Sequence, residues 1–274
     1  MAATRFSALG GAALLGLAAC SGGEAETTAD NTFDPAEYAG TPACEIRTFE
    51  GSRFTVCPFD AGKDEVRIAW RGGDGKPLRS LAALEQSLGR EASKVRFAMN
   101  AGMYDEEGAP IGLFVEEGEE RKSLNTREGS GNFHLLPNGV FAVDRQGRVS
   151  VTPSASFPKE VPTPRWATQS GPMLVIDGKL HPKFDENGPS QLIRNGVGVR
   201  DSRTAWFVIS EDGVSFGRFA RFFRDGLGCR NALYLDGSVS SLWDPGAGRQ
   251  DAFSELGPMI VVLKRSVPKR PPAR

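Results

Sequence analysis

Four short polar stretches hold the residue types from which a site for charged, hydroxylated substrates is built. They are Asn100-Ala101-Gly102-Met103-Tyr104, Gln169-Ser170-Gly171-Pro172, Arg194-Asn195-Gly196-Val197-Gly198 and Asp236-Gly237-Ser238-Val239-Ser240-Ser241. Asp236 offers a carboxylate that can take a proton from water or face a developing positive charge. The planar fork of Arg194 suits bidentate contact with a phosphate. The amides of Asn100 and Gln169 can both donate to and accept from hydroxyls or an attacking water. Glycine at 102, 171 and 237 permits close backbone approach, with main-chain N–H groups aimed at oxygens. Ser170, Ser240 and Ser241 add hydroxyls. Plainer readings stand beside these. Asn100 and Asn195 also suit turns, because asparagine bonds its own backbone. Arg194 suits a surface ion pair, and Gln169-Ser170 suits a strand end. A serine hydrolase built on Ser170 or Ser240 lacks the Gly-x-Ser-x-Gly elbow, and the only two histidines, His134 and His181, stand in no recognisable pairing.

Each stretch adjoins an element able to hold it rigidly. The apolar run Ala232-Leu233-Tyr234-Leu235 reads as a buried strand delivering Asp236, and Val95 to Met99 reads as the strand delivering Asn100. Leu78, Leu81, Leu84 and Leu88 recur at helical spacing before Gly89; Phe216, Phe219, Phe223 and Leu227 do so before Gly228. Each helix thus precedes a short strand ending in a polar, glycine-containing loop, a layout that hints at an internal two-fold relation. Residues 45–57, 65–70 and 203–210 have strand character. Hairpins are expected at Glu116-Glu117-Gly118, Arg145-Gln146-Gly147 and Asp177-Gly178. The predicted fold is α+β, a mostly antiparallel mixed sheet with two principal helices packed on it.

Among 274 residues, 33 Lys and Arg face 34 Asp and Glu, so there is no basic field to hold a nucleic acid. The length suits one sizeable domain. Residues 1–20 read as an export signal: Arg5, then an apolar run from Ala8 to Ala19 too short to span a bilayer, then Leu17-Ala18-Ala19-Cys20. That ending resembles the lipobox of bacterial lipoproteins, which implies lipidation at Cys20 and a membrane anchor. Ser21 after the cysteine implies, by the same resemblance, an envelope protein on the outer membrane facing the periplasm. Residues 21–40 read as a flexible tether, 41–265 as the folded domain and 266–274 as a disordered tail. Export permits a disulfide, and Cys44 with Cys57 flank an expected hairpin. Cys229 reads as a buried apolar residue. No Cys/His spacing suits zinc and no loop matches a calcium site, so no metal or cofactor is assigned, a divalent cation remaining open.

In their order and separation, the four stretches resemble the phosphodiester glycosidase family, which contains the lysosomal enzyme that uncovers mannose phosphate by removing N-acetylglucosamine. The resemblance runs from about Val95 to Leu263. Many members read Asn-Gly-Gly-Phe-Phe at the first stretch and Asp-Gly-Gly-Gly-Ser at the last. Here Ala101, Met103-Tyr104 and Ser238-Val239 stand instead, leaving less room for close backbone approach. The resemblance implies an exported hydrolase of glycosyl-1-phosphodiester bonds in an envelope or extracellular glycan. It casts Asp236, Arg194 and Asn100 as catalytic, with Gly102, Gln169, Ser170, Gly171, Gly237, Ser240 and Ser241 at the substrate. The alternative is a lipid-anchored module that binds glycan or phosphate without turnover.

Overall fold

A computed structural model describes residues 40–265. The proposed signal peptide with Cys20, nearly all of the tether, and the tail from 266 lie outside the described residues.

The chain opens with β1 (Glu45–Phe49), β2 (Ser52–Asp60), β3 (Asp64–Ala69), α1 (Leu81–Leu88) and β4 (Val95–Asn100). There follow β5 (Phe114–Glu116), β6 (Glu119–Lys122), β7 (Gly139–Val143), β8 (Val149–Pro153), α2 (Phe157–Glu160) and β9 (Trp166–Ser170). Next come β10 (Met173–Ile176), β11 (Lys179–Leu180), β12 (Asn195–Asp201), β13 (Thr204–Ser210) and α3 (Phe216–Arg221). The chain closes with β14 (Asn231–Tyr234), β15 (Leu242–Asp244), β16 (Arg249–Gln250) and β17 (Met259–Lys264). The sheet anticipated as one unit is three, ordered β1-β2-β13-β12-β14-β10-β11, β16-β15-β4-β17-β3 and β6-β5-β9-β7-β8. Every ladder among the described strands is antiparallel.

Period-two alternation explains the layering. In β17, Ile260 and Val262 enter a core shared by all three sheets, whereas Met259, Val261 and Leu263 face outward beneath α1. In β13, Ala205, Phe207 and Ile209 enter the shared core while Val208 faces the α3 side. Phe157 of α2 covers the outer face of the third sheet with Val140, Ala142 and Ala167. Each sheet is therefore apolar on both faces, one toward the common core and one toward its own helix.

The helices begin and end on local signals. Ser80 caps α1 by accepting the Ala83 N–H, and Gly89 stops it at φ 52°. Ser215 caps α3 in the same way through the Arg218 N–H; a π-helical turn, Phe222–Gly226, continues the segment toward Gly228 at φ 66°. Asp177 and Gly178, at φ 48° and 77°, form the expected tight hairpin between β10 and β11.

Cys44 and Cys57 are bonded, Cα to Cα 4.2 Å, closing a separation of 13 residues. Loop-closure entropy makes a bridge of that span worth about 3 kcal/mol. Cys57→Ser is accordingly expected to lower the denaturation midpoint, and chemical denaturation with and without reductant should show the same loss in the wild type. Cys229 is buried, and burial pushes its thiol up to about 12, so it is an inert packing residue.

Candidate active site

The strand ends place three of the four stretches against one another. Asn100 closes β4, Asn195 opens β12 and Asp236 follows β14. The Asn100 side chain links them: its Oδ1 accepts the Asn195 Nδ2–H (2.8 Å) and the Ser241 backbone N–H (3.0 Å), while its Nδ2 donates to the Asp236 carbonyl (2.7 Å). The residue is 1% exposed, so these bonds form away from water. Three of the four hydrogen-bonding places on its amide join strand ends of two sheets, so in this geometry Asn100 positions the turn that carries Asp236.

Asp236 is half-buried, and its Oδ1 accepts the Ser238 hydroxyl at 2.6 Å. No cation pairs with it among the described residues. Gly196 pairs with Tyr234 across β12 and β14, so Arg194 and Asp236 leave the two strands at the same end of that ladder. Tyr234 neighbours both. Its hydroxyl accepts the Gly237 N–H at 3.1 Å, and the Arg194 Cζ lies 5.8 Å from its ring. Burial holds the Tyr234 phenol above its ordinary range; Arg194 opposes that shift and Asp236 adds to it. Burial and then the Asp236 charge likewise raise Tyr104, whose hydroxyl donates to the Glu255 carbonyl. Both phenols are therefore held neutral.

Arg194 differs from the expected solvent-facing fork. It is 0% exposed, its Nε donates to the Val214 carbonyl (2.8 Å) and one terminal nitrogen donates to the Ser190 carbonyl and hydroxyl (3.0 and 3.1 Å). The other terminal nitrogen is buried without a partner. Phe216 seals the group, with Cζ 3.6 Å from the ring centroid. Burial pulls the guanidinium below its usual range, but arginine remains a cation. No acid neutralises it among the described residues, so Arg194 stands as a buried positive charge beneath the site instead of an exposed phosphate clamp.

The second stretch is also spent on structure. Gln169 is 1% exposed; its Oε1 accepts the N–H groups of Leu113 and Asn125 (both 2.9 Å), and its Nε2 donates to the Asn125 carbonyl (2.7 Å) and the Ser154 hydroxyl (3.0 Å). All four hydrogen-bonding places on the amide are filled, so it clamps the 111–125 segment onto β9 and has none left for a substrate. Ser170 is buried with an unpartnered hydroxyl, and Ser241 is buried with its hydroxyl on the Val239 carbonyl. The Gly102 and Gly237 N–H groups, expected to meet phosphate, instead donate to Thr168 Oγ1 and the Tyr234 hydroxyl. A Cβ at Gly102 would run into the Gln169 carbonyl, and one at Gly237 into Tyr234; close packing is why glycine stands there. Gly171 is packed in the same way against Asn138 and Phe133.

Gly237 and Ser240 do line an open cleft of about 290 Å³, together with Ser238, Ile193, Glu211 and Arg249 among others. Glu211 accepts the Thr55 hydroxyl and pairs with Arg249 at 3.1 Å; Arg249 also pairs with Asp251 at 2.9 Å. Tyr234, Glu211 and Arg249 were not among the residues anticipated. Tyr234 was within reach, since it lies two residues before Asp236 on the same strand face. Among the described residues no group of three or more His, Cys, Asp or Glu is placed to hold a metal ion, and no helix is long and apolar enough to cross a membrane.

A family model for phosphodiester glycosidases matches residues 93–262. The uncharacterized protein YigE of Escherichia coli (strain K12) is 36% identical over 185 residues, 67% of this chain and 71% of YigE. Among solved structures, a hypothetical protein from Synechocystis superposes with a TM-score of 0.56 at 14% identity, covering 81% of this chain and 61% of that one, so this chain spans less than two thirds of its length. The zebrafish N-acetylglucosamine-1-phosphodiester alpha-N-acetylglucosaminidase catalytic domain, auto-inhibited by its pro-peptide, superposes with a TM-score of 0.55 at 13% identity, covering 81% of this chain and 82% of that one. At such identities the two superpositions speak for a common fold.

Proposed function

The chain belongs to the phosphodiester glycosidase family, and from that premise we propose that it hydrolyses the C1–O bond of glycosyl-1-phosphodiesters. One observation carries the reading. A half-buried carboxylate without a cationic partner and a buried guanidinium without an acidic one both border Tyr234.

The reaction needs that separation of charge. As the C1–O bond lengthens, positive charge grows on the sugar ring and the bonding electrons pass to the phosphate oxygen. The monoanionic diester becomes a phosphomonoester carrying one more negative charge. Ordinary glycosidases need a second carboxylic acid to protonate the leaving oxygen. A phosphomonoester leaves without that help. Asp236 stabilises the ring cation and takes the proton of the water that forms the new bond to C1; the proton then passes to solvent. Arg194, buried where the dielectric is low, supplies fixed positive potential to the leaving side. The Ser238 hydroxyl holds the carboxylate in place. Met103 and Tyr104 occupy the first stretch, and Met103 packs against the apolar cluster that holds Tyr234.

The disulfide supports an oxidising compartment. We assign the protein to the bacterial cell envelope, anchored through Cys20 and facing the periplasm, with an envelope or extracellular glycan as substrate.

The test is a panel of sugar-1-phosphodiesters set against plain glycosides of the same sugars. Free sugar and phosphomonoester are expected from the diesters, with plain glycosides slower; the reverse preference would overturn the leaving-group argument. In the same panel, Arg194→Lys keeps a charge but cannot reproduce the fork between Val214 and Ser190. It is expected to lower kcat on diesters by about 10- to 100-fold, a fraction of what well-placed electrostatic groups supply.

A further inference from the structure

Of the five large apolar side chains markedly exposed among the described residues, two line one cleft and a third adjoins it in sequence. Ile193 (41% exposed) and Phe253 (82%) line the cleft beside Asp236, and Leu192 (57%) adjoins Ile193 in sequence. Single exposed apolar residues need no explanation, but a group around a concavity does. Nor is its position incidental. Leu192 exchanges two main-chain hydrogen bonds with Val214 (3.3 and 2.9 Å), and the next residue but one is Arg194. The segment that fixes the buried cation therefore also fixes the apolar rim.

The inner wall of the cleft is the Gly237–Ser240 turn that follows the candidate catalytic carboxylate. Its charged lining is already neutralised: Glu211 is satisfied by Thr55 and Arg249, and Arg249 by Glu211 and Asp251. No free charge is offered to a charged ligand there, while apolar surface is. The volume, about 290 Å³, lies at the lower bound of small-ligand sites, near 300 Å³.

We infer that this cleft is the leaving-group subsite and that it takes an uncharged aliphatic chain esterified to the phosphate. The substrate class is thus a sugar-1-phosphodiester with an alkyl or acyl-bearing aglycone, in preference to one joining two sugars. That the cleft is a leaving-group subsite rests on the hydrolase reading; that it takes an aliphatic chain rests on its lining.

Two measurements on the full-length protein separate the two claims. Calorimetric titration compares octyl phosphate with methyl phosphate, and kinetics compare the octyl and methyl phosphodiesters of glucose 1-phosphate and N-acetylglucosamine 1-phosphate. A fully buried methylene strengthens binding up to about fourfold, so octyl phosphate is expected to bind at least about tenfold more tightly than methyl phosphate. Phe253→Ser and Ile193→Ser should each reduce the octyl-to-methyl ratio at least about threefold, since each removes a large part of the rim. Equal binding of the two phosphates in the wild type overturns the inference. So does an octyl preference that survives both substitutions, and so does sedimentation showing a dimer that the substitutions dissolve while the ratio stays constant. An octyl preference without cleavage of any diester leaves the chain site standing and sinks the hydrolase reading; cleavage with equal octyl and methyl binding does the opposite.

Discussion

Asp236→Asn is expected to lower kcat on sugar-1-phosphodiesters by about a thousandfold, within the 10²–10⁴ range that a positioned acid or base supplies. The substitution is close to isosteric, and the environment tolerates it. The carboxylate's protein partner is the Ser238 hydroxyl, which an amide oxygen can still accept. The backbone carbonyl that Asn100 grips is untouched. The denaturation midpoint should therefore stay within a few degrees of the wild type, and titration of an intact diester should show affinity within a few-fold. Turnover and binding then part company, as they must when a group acts mainly in the transition state. A glycan- or phosphate-binding module gives a different pattern, with no turnover in either form and unchanged binding. A variant that keeps more than a tenth of wild-type kcat on every diester it cleaves would remove Asp236 from the chemistry.

Much of the scaffold was readable because it obeys short-range rules. The apolar run before Asn100 is β4 and the 203–210 run is β13, and the side chains of β13 divide between two cores as period two requires. Asp177-Gly178 forms the hairpin that its positive φ angles demand. Leucine spacing and Gly89 bound α1, although Leu78 falls ahead of its first turn, where Ser80 supplies the cap. What escaped depends on partners distant in the chain. The amide of Gln169 is saturated by Leu113, Asn125 and Ser154, the first two 56 and 44 residues away, and no local pattern reports that. Arg194 reads as a surface charge until Phe216, arriving on α3, covers it. Glu211 and Arg249 meet across 38 residues and belong to no motif. The four stretches were recognisable as polar loops on strand ends, but the division of labour among them was not: one amide joins, one clamps, and the carboxylate is left half-open beside the cleft that Gly237 and Ser240 line.

The joining amide gives the other large effect. Asn100→Ala is expected to destabilise the fold by about 3–5 kcal/mol, because it strips partners from three buried groups and each such loss costs about 1–3 kcal/mol, not fully additive. The groups are the Ser241 N–H, the Asn195 Nδ2–H and the Asp236 carbonyl. Set against a total of about 5–15 kcal/mol, that is a large fraction. For a domain of this size it corresponds to a midpoint lowered by about 10–15 °C. Ser241→Ala is the contrasting variant. It removes a hydroxyl bonded to the Val239 carbonyl and leaves the backbone N–H on Asn100 intact, so it should cost about 1 kcal/mol. The comparison decides what Asn100 is for. If it positions Asp236, its loss should reduce stability and turnover together, because the freed carbonyl loosens the turn that carries the carboxylate. If it instead touches substrate, Asn100→Ala would melt within about 3 °C of the wild type, a shift near 1 kcal/mol, while losing activity. With every hydrogen-bonding place but one of its amide protons occupied inside the protein, the first result is the one this geometry requires.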